Sequence, residues 1–256
     1  MKFSGSIRSQ KGKFHALCIE GESGTGKSKL LNYCIIDAKK SGKHVLKFNS
    51  SFSGDDVNLT ASNLIKEIII SLYDLASEDI VSIIQQSLLN DETKLDESVR
   101  VAFTMISEFL DAQTDATYKK LIDKYIEVIF EKLSSREYLL AIDNVQFFDK
   151  SILYFIQKLI FLGVNSNHTC KLCILLAINT DYLAGNFDAI TILNVLKDFK
   201  LTKEIHGFTK PEDCEEFLQE LLFIGNATNE MMREKIITKT NNNPYFIGSI
   251  SVIPIA

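Results

Sequence analysis

The residues best placed to do chemistry are Gly21, Glu22, Ser23, Gly24, Thr25, Gly26, Lys27 and Ser28, with Lys29 next to them. They fit G-x-x-x-x-G-K-[ST], the pattern of a loop that holds phosphate. Glycines are needed where backbone N–H groups turn inward and approach phosphate oxygens without a Cβ in the way. Lys27 would place a point charge on the outer phosphates, and Ser28 would offer a hydroxyl to Mg²⁺. A helix following the loop would add its positive N-terminal end.

Two further stretches supply polar groups at the ends of apolar runs. Tyr138–Asp143 reads Tyr-Leu-Leu-Ala-Ile-Asp and is followed by Asn144. A continuous apolar run ending in an acid is the mark of a parallel strand covered on both faces, with its carboxyl end at the ligand crevice. Asp143 is then the second candidate Mg²⁺ group. Asn144 can orient water but cannot take its proton at neutral pH, so slow hydrolysis is expected. The run Leu172–Ile178 ends in Asn179 and Thr180. By resemblance to P-loop ATPases with an added central strand, Asn179 is the first candidate, and Thr180 the second, for a polar group sensing the γ-phosphate or the lytic water.

Positioning these groups requires strands before them and helices after. Phe14–Glu20 is the expected first strand. A helix follows over Lys27–Lys40, with Leu30, Leu31, Tyr33, Cys34, Ile35 and Ala38 as a broad buried face. His44–Phe48 is the expected second strand. From Asn63 to Ser135 apolar residues recur at helical spacing, with breaks near Asn90–Thr93 and Thr114–Thr117, and Thr60 or Ser62 can cap the first of these helices. Lys150–Leu162 reads as a helix that Asp149 opens, and Leu201–His206 as a further strand. Thr209-Lys210-Pro211-Glu212 has a capping-box spacing that would open a helix to Phe223. A last helix over Glu230–Thr240 leads to the turn Asn241-Asn242-Asn243-Pro244.

The composition suits one α/β core with a small appendage: 256 residues, 46% hydrophobic and 24% charged. A net charge of −5 argues against sequence-independent nucleic-acid binding, which asks for a basic excess. No apolar run approaches the roughly 20 residues needed to span a bilayer, so a cytoplasmic protein without membrane contact is expected. Five cysteines form no framework and are expected to be reduced. Cys170 and Cys173, near His168, lack the second pair that a zinc site needs.

The octet Gly21–Ser28, the phrase Leu140–Asp149 and the phrase Asn242-Asn243-Pro244-Tyr245-Phe246-Ile247 occur in an order and spacing that resemble the STAND branch of AAA-like P-loop ATPases. The resemblance implies an α/β P-loop NTPase fold, a parallel sheet flanked by helices on both faces, over residues 1–207. A C-terminal helical lid over 208–256, cut short, would follow. It implies Walker A and Walker B elements, ATP or ADP with Mg²⁺ as ligands, and Pro244 as the lid's contact to adenine or ribose. The function implied is that of a switch, an ATP-binding and weakly hydrolysing signal-transduction module that self-associates or meets other domains of a longer protein, in signalling or defence.

Departures from the family pattern sit at Asn144, where a second acid is usual, and at Asn242, where glycine is usual. Asn242 is a mild departure, since Asn tolerates left-handed backbone. Arg8, Arg100, Arg136 and Arg233 are the only arginines, so candidates for an arginine finger are few. No Asn-Lys-x-Asp motif favours guanine. Two other functions fit the same octet: an AAA+ ATPase acting on DNA, of origin-binding or loader type, and a non-hydrolysing interaction module stabilised by its nucleotide.

Overall fold

The computed structural model describes residues 14–50, 61–75, 97–166 and 170–208, and within the C-terminal part residues 210, 212–214, 216–217, 237–240 and 242–251. The break near Asn90–Thr93, Thr60, His168, and Thr209 and Pro211 of the capping box lie outside the described residues, as does most of the helix expected up to Phe223.

Among the described residues five strands form one parallel sheet: β1 (His15–Gly21), β2 (His44–Asn49), β3 (Tyr138–Asp143), β4 (Cys173–Asn179) and β5 (Thr202–Glu204). Their order is β2-β3-β4-β1-β5. Every residue of β3 is buried, as its unbroken apolar run requires. The pleat sends Tyr138, Leu140 and Ile142 to one face with Ile174, Leu176 and Ile178 of β4. Leu139, Ala141, Leu175 and Ala177 go to the other.

The second of these faces is covered by α1 (Lys27–Lys40), which buries Leu31, Ile35 and Ala38. The expected face was broader. Tyr33 is 70% exposed, because residues at i, i+4 and i+7 already match the sheet and Tyr33 falls off that stripe. The opposite face is covered by α2 (Ala61–Leu72), α3 (Glu97–Asp111), α4 (Asp115–Ser135), α5 (Lys150–Asn165) and α6 (Phe187–Asp198). Helices thus lie on both faces of the sheet, as expected.

Local signals explain the boundaries. Thr114 caps α4 by accepting from the Thr117 N–H, so the expected break is a helix start. Asp149 caps α5 by accepting from the Ile152 N–H at 2.8 Å. The sequence reading assigned no helix between Asn179 and Leu201, yet Ala189, Ile192, Leu193 and Leu196 of α6 keep helical spacing behind the cap Asn186. β5 is shorter than the expected Leu201–His206 because it sits at the sheet edge and pairs with β1 only over Cys18–Glu20.

All five cysteines are free, and burial pushes the Cys173 thiol up to about 11. No helix among the described residues is long and apolar enough to cross a membrane. The C-terminal helix α7 (Pro244–Ser251) packs Ile247 with Cys214 in a small separate cluster.

Candidate functional site

Parallel pairing brings the chemically interesting residues to one edge of the sheet. Gly21 is in register with Asn179, and Asn49 with Asp143, so the last residues of four strands stand side by side. β4 lies between the strand that feeds the glycine loop and the strand that ends in Asp143. The crevice beyond the carboxyl ends of parallel strands is where such folds take ligands.

The loop after β1 is held by its own backbone. The Thr25 hydroxyl donates to the Glu22 carbonyl at 2.9 Å, and the Lys27 ammonium donates to the same oxygen. Gly24 and Gly26 have φ of 80° and 95°, left-handed values that a side chain would resist. Gly26 begins α1 without a side-chain cap, and the first turn of α1 carries no acid. Its leading amides are therefore open to an external anion. The donor set fits a phosphate group: the backbone amides of a glycine loop, a buried ammonium and a helix whose first turn carries no acid. Ser28 and Lys29, at the head of α1, are exposed, as is Glu22.

Lys27 is buried, and that burial pulls its pKa down, while Asp181, Asp143 and Glu22 pull it up. Just before the loop, Glu20 is buried and its Oε2 pairs with Lys197 Nζ of α6 at 2.8 Å. That pair ties the base of the loop to the far-face helices.

Asp143 is buried, and its Oδ1 accepts from the Asn144 N–H at 2.9 Å. Asn144 has φ of 56°, a left-handed position that Asn tolerates better than most residues. Its amide is engaged: Nδ2 donates to Asn49 Oδ1 at 3.0 Å, and Oδ1 accepts from Gln146 Nε2 at 3.4 Å. Gln146 Oε1 accepts from the Asn179 N–H at 3.0 Å, while the Gln146 carbonyl accepts from Asn186 Nδ2 at 2.7 Å. A chain of amides thus connects the ends of β2, β3 and β4. Asn179 uses its own Oδ1 to accept from the Asp181 N–H at 3.1 Å, capping the turn Thr180–Tyr182. Tyr182 of that turn sets its ring edge-on to Phe147.

Gln146→Ala is expected to cost about 1–3 kcal/mol, the range for leaving a buried N–H without its acceptor, here that of Asn179. The urea midpoint measures it. An unchanged midpoint would mean that the relay does not support the strand ends.

The C-terminal helix reaches the loop directly. Asn243 is buried, its Nδ2 donates to the Ser23 carbonyl at 2.7 Å, and its Oδ1 accepts from the Tyr245 N–H at 3.0 Å. It is therefore both the N-cap of α7 and the helix's contact to the phosphate loop. Pro244 follows at the first helical position, half-buried. Gly24 is glycine for a second reason: a Cβ there would collide with Asn243 Oδ1 and lie 2.6 Å from Tyr245 Cβ.

The sequence reading gives no role to three residues of this site: Gln146, Asp181 and Asn243. Asn243 carried a signal, since an Asn just before a helix-starting proline is a favoured cap. Asp181 lies two residues past Asn179, within the same polar turn. Gln146 lies within the phrase Leu140–Asp149, but nothing in that phrase marks its side chain as a relay. Arg100 and Arg136 bond to Glu97 and Asp74 rather than to residues of the loop, while Arg8 and Arg233 lie outside the described residues.

A parallel sheet with a glycine loop after β1, an acid ending β3 and a strand between the two defines a P-loop ATPase domain. The family model described as Nephrocystin 3, N-terminal, matches residues 4–174, and the chain belongs to that family. The match takes in the loop and Asp143 and ends inside β4, ahead of Asn179, Asp181 and Asn243. No curated protein matches the chain.

Among solved structures, AMPPCP-bound DnaA from Aquifex aeolicus is 17% identical, with 98% of this chain and 59% of that chain covered and a TM-score of 0.49. A DNA replication initiation factor is 18% identical, with 93% and 54% covered and a TM-score of 0.44. The ORC2 protein of Aeropyrum pernix, in ADPNP and ADP complexes, is 13% identical, with 93% and 54% covered and a TM-score of 0.42. The chain spans between 54% and 59% of the length of these three.

Proposed function

We propose that this chain binds ATP and ADP with Mg²⁺ at residues 21–29, hydrolyses ATP slowly, and is the nucleotide-governed switch of a longer signalling protein. The observation that carries the reading is the Asn243–Ser23 hydrogen bond, which ties the loop suited to phosphate to the helix that begins with Pro244. A change in what the loop holds is therefore felt by the C-terminal helix without any intermediary. Residues 208–256 would act as the lid, with Pro244 against the nucleotide, and residues 1–207 as the nucleotide-binding domain.

The backbone amides of Ser23–Ser28 would cradle the phosphates, and Lys27 would leave the Glu22 carbonyl for the outer oxygens. Ser28 and Asp143 would hold Mg²⁺, which when bound neutralises charge developing on the phosphate oxygens. Asn144 and Asn179 can orient a water, but neither takes a proton. Asn144 is moreover held by Asn49 and Gln146. Turnover below about 1 s⁻¹, the low edge of ordinary enzyme rates, follows. The net charge of −5 supports a protein or self-association partner over nucleic acid.

Identifying the nucleotide that co-purifies and measuring turnover with Mg·ATP tests the reading. Asp143→Ala should bring ATP affinity in Mg²⁺ down to its Mg²⁺-free value, a loss of about tenfold or more, the scale of one charge-assisted contact, and should remove turnover. Retention of both Mg²⁺ dependence and turnover would show that Asp143 is not the metal-positioning acid.

A further inference from the structure

The phosphate loop already holds an anion of the protein's own. Asp181 Oδ2 accepts from the Ser23 N–H at 2.8 Å. Ser23 is the third residue of the octet, and its amide is among those that would face phosphate. Asp181 does not arrive there by chance of rotamer. The Thr180–Tyr182 turn is held by Asn179 Oδ1 on the Asp181 N–H and by the Leu183 N–H on the Thr180 carbonyl at 3.4 Å. The Tyr182 ring braces the same turn against Phe147 at 5.2 Å. The carboxylate also lies close enough to Lys27 to be the strongest of the charges that favour its ammonium form.

The side of the loop that Asp181 occupies matters. Lys27 and Ser28 head α1, while Ser23 lies earlier in the loop and is bonded to the Thr180–Tyr182 turn that follows the end of β4. A diphosphate cradled at the α1 end can leave the Ser23 amide with Asp181. A third phosphate, needing further donors of the same loop, would compete with the carboxylate for the Ser23 amide and for Lys27. One N–H cannot serve the carboxylate and a phosphate equally well, and like charges brought together in a partly buried site repel.

We propose that Asp181 sets the nucleotide preference of this site: its carboxylate holds the Ser23 amide against a γ-phosphate, so that ADP is accepted beside it and ATP must displace it. This rests on the nucleotide-site reading above. The state with Asp181 on the loop is then the resting, ADP-compatible state, and displacement of the Thr180–Tyr182 turn is the first event that distinguishes ATP. Because Asn243 holds the other end of the same residue through its carbonyl, both nucleotide-sensing contacts converge on Ser23.

The test is calorimetric titration of the whole chain with Mg·ADP and Mg·ATP, in wild type, Asp181→Asn and Asp181→Ala. Asp181 is exposed, so neither substitution opens the core, and Asn keeps an oxygen able to accept from Ser23. Wild type is expected to favour ADP. Both variants should tighten ATP by about tenfold or more, the scale of one unit charge removed from a partly screened site, with ADP changed by less than about threefold. An unchanged ATP-to-ADP ratio overturns the proposal. So does loss of turnover at unchanged ATP affinity, which would make Asp181 a group acting on the lytic water. If wild type binds nucleotide and Lys27→Ala does not, a failure here falls on Asp181 alone; if wild type binds neither nucleotide, both readings fall.

Discussion

Lys27→Ala is expected to weaken Mg·ATP and Mg·ADP binding on the order of a hundredfold and to abolish turnover. The Lys27 ammonium is buried and is stabilised in its charged form by Asp181, Asp143 and Glu22. Truncation removes about 1.5–3 kcal/mol for each charge-assisted contact it would make to phosphate oxygens. It also leaves Asp143 and Asp181 facing the incoming polyanion with their shared cation gone, so the loss exceeds that of one hydrogen bond. Arginine should not rescue the site, because its planar fork cannot follow a compact ammonium into a loop that closes on the Glu22 carbonyl. Titration with both nucleotides reads the effect directly. Unchanged affinity would remove the octet from the nucleotide site.

Gly24→Ala carries the second large effect, and Gly26→Ala is its control. Both glycines have left-handed φ, so an alanine at either costs roughly 1–2 kcal/mol of backbone strain. They differ in what the new methyl meets. At Gly26 nothing lies within 4 Å, whereas at Gly24 the methyl collides with Asn243 Oδ1 and crowds Tyr245 Cβ. Gly24→Ala should therefore break the Asn243–Ser23 hydrogen bond and free α7 from the loop, while Gly26→Ala lowers stability without doing so. Amide hydrogen exchange of the nucleotide-free protein separates the two. Protection over residues 245–251 should fall by about tenfold or more in Gly24→Ala, the worth of one good hydrogen bond and its cap, and stay near wild type in Gly26→Ala. Equal protection in both would mean that the loop does not hold the C-terminal helix.

Much of this site could be read before any coordinates. The octet announced a strand before it and a helix after it because phosphate geometry demands both, and β1 and α1 stand where that demand puts them. Tyr138–Asp143 matched its expected bounds because an apolar run buried on both faces has no periodicity to misread. The buried face of α1 was overdrawn at Tyr33, since composition shows that a residue is apolar but the partner surface decides how wide a stripe can be covered. The helix α6 went unassigned although its spacing was regular.

By itself the sequence determined the candidate chemistry: a loop suited to phosphate at Gly21–Ser28, an acid ending a strand at Asp143 and polar groups at Asn144 and Asn179, because each follows from residue type and spacing within a short segment. Only the tertiary structure decided what grips that loop. Asp181 and Asn243 reach Ser23 across separations of 158 and 220 residues. Whether a side chain donates to a given carbonyl depends on strand order, register and the path of the chain between them, none of which is written in either local segment. The phosphate loop was legible as a binding element; that its third residue is gripped at both the N–H and the carbonyl became visible only when β4 and the C-terminal helix were seen to close on it.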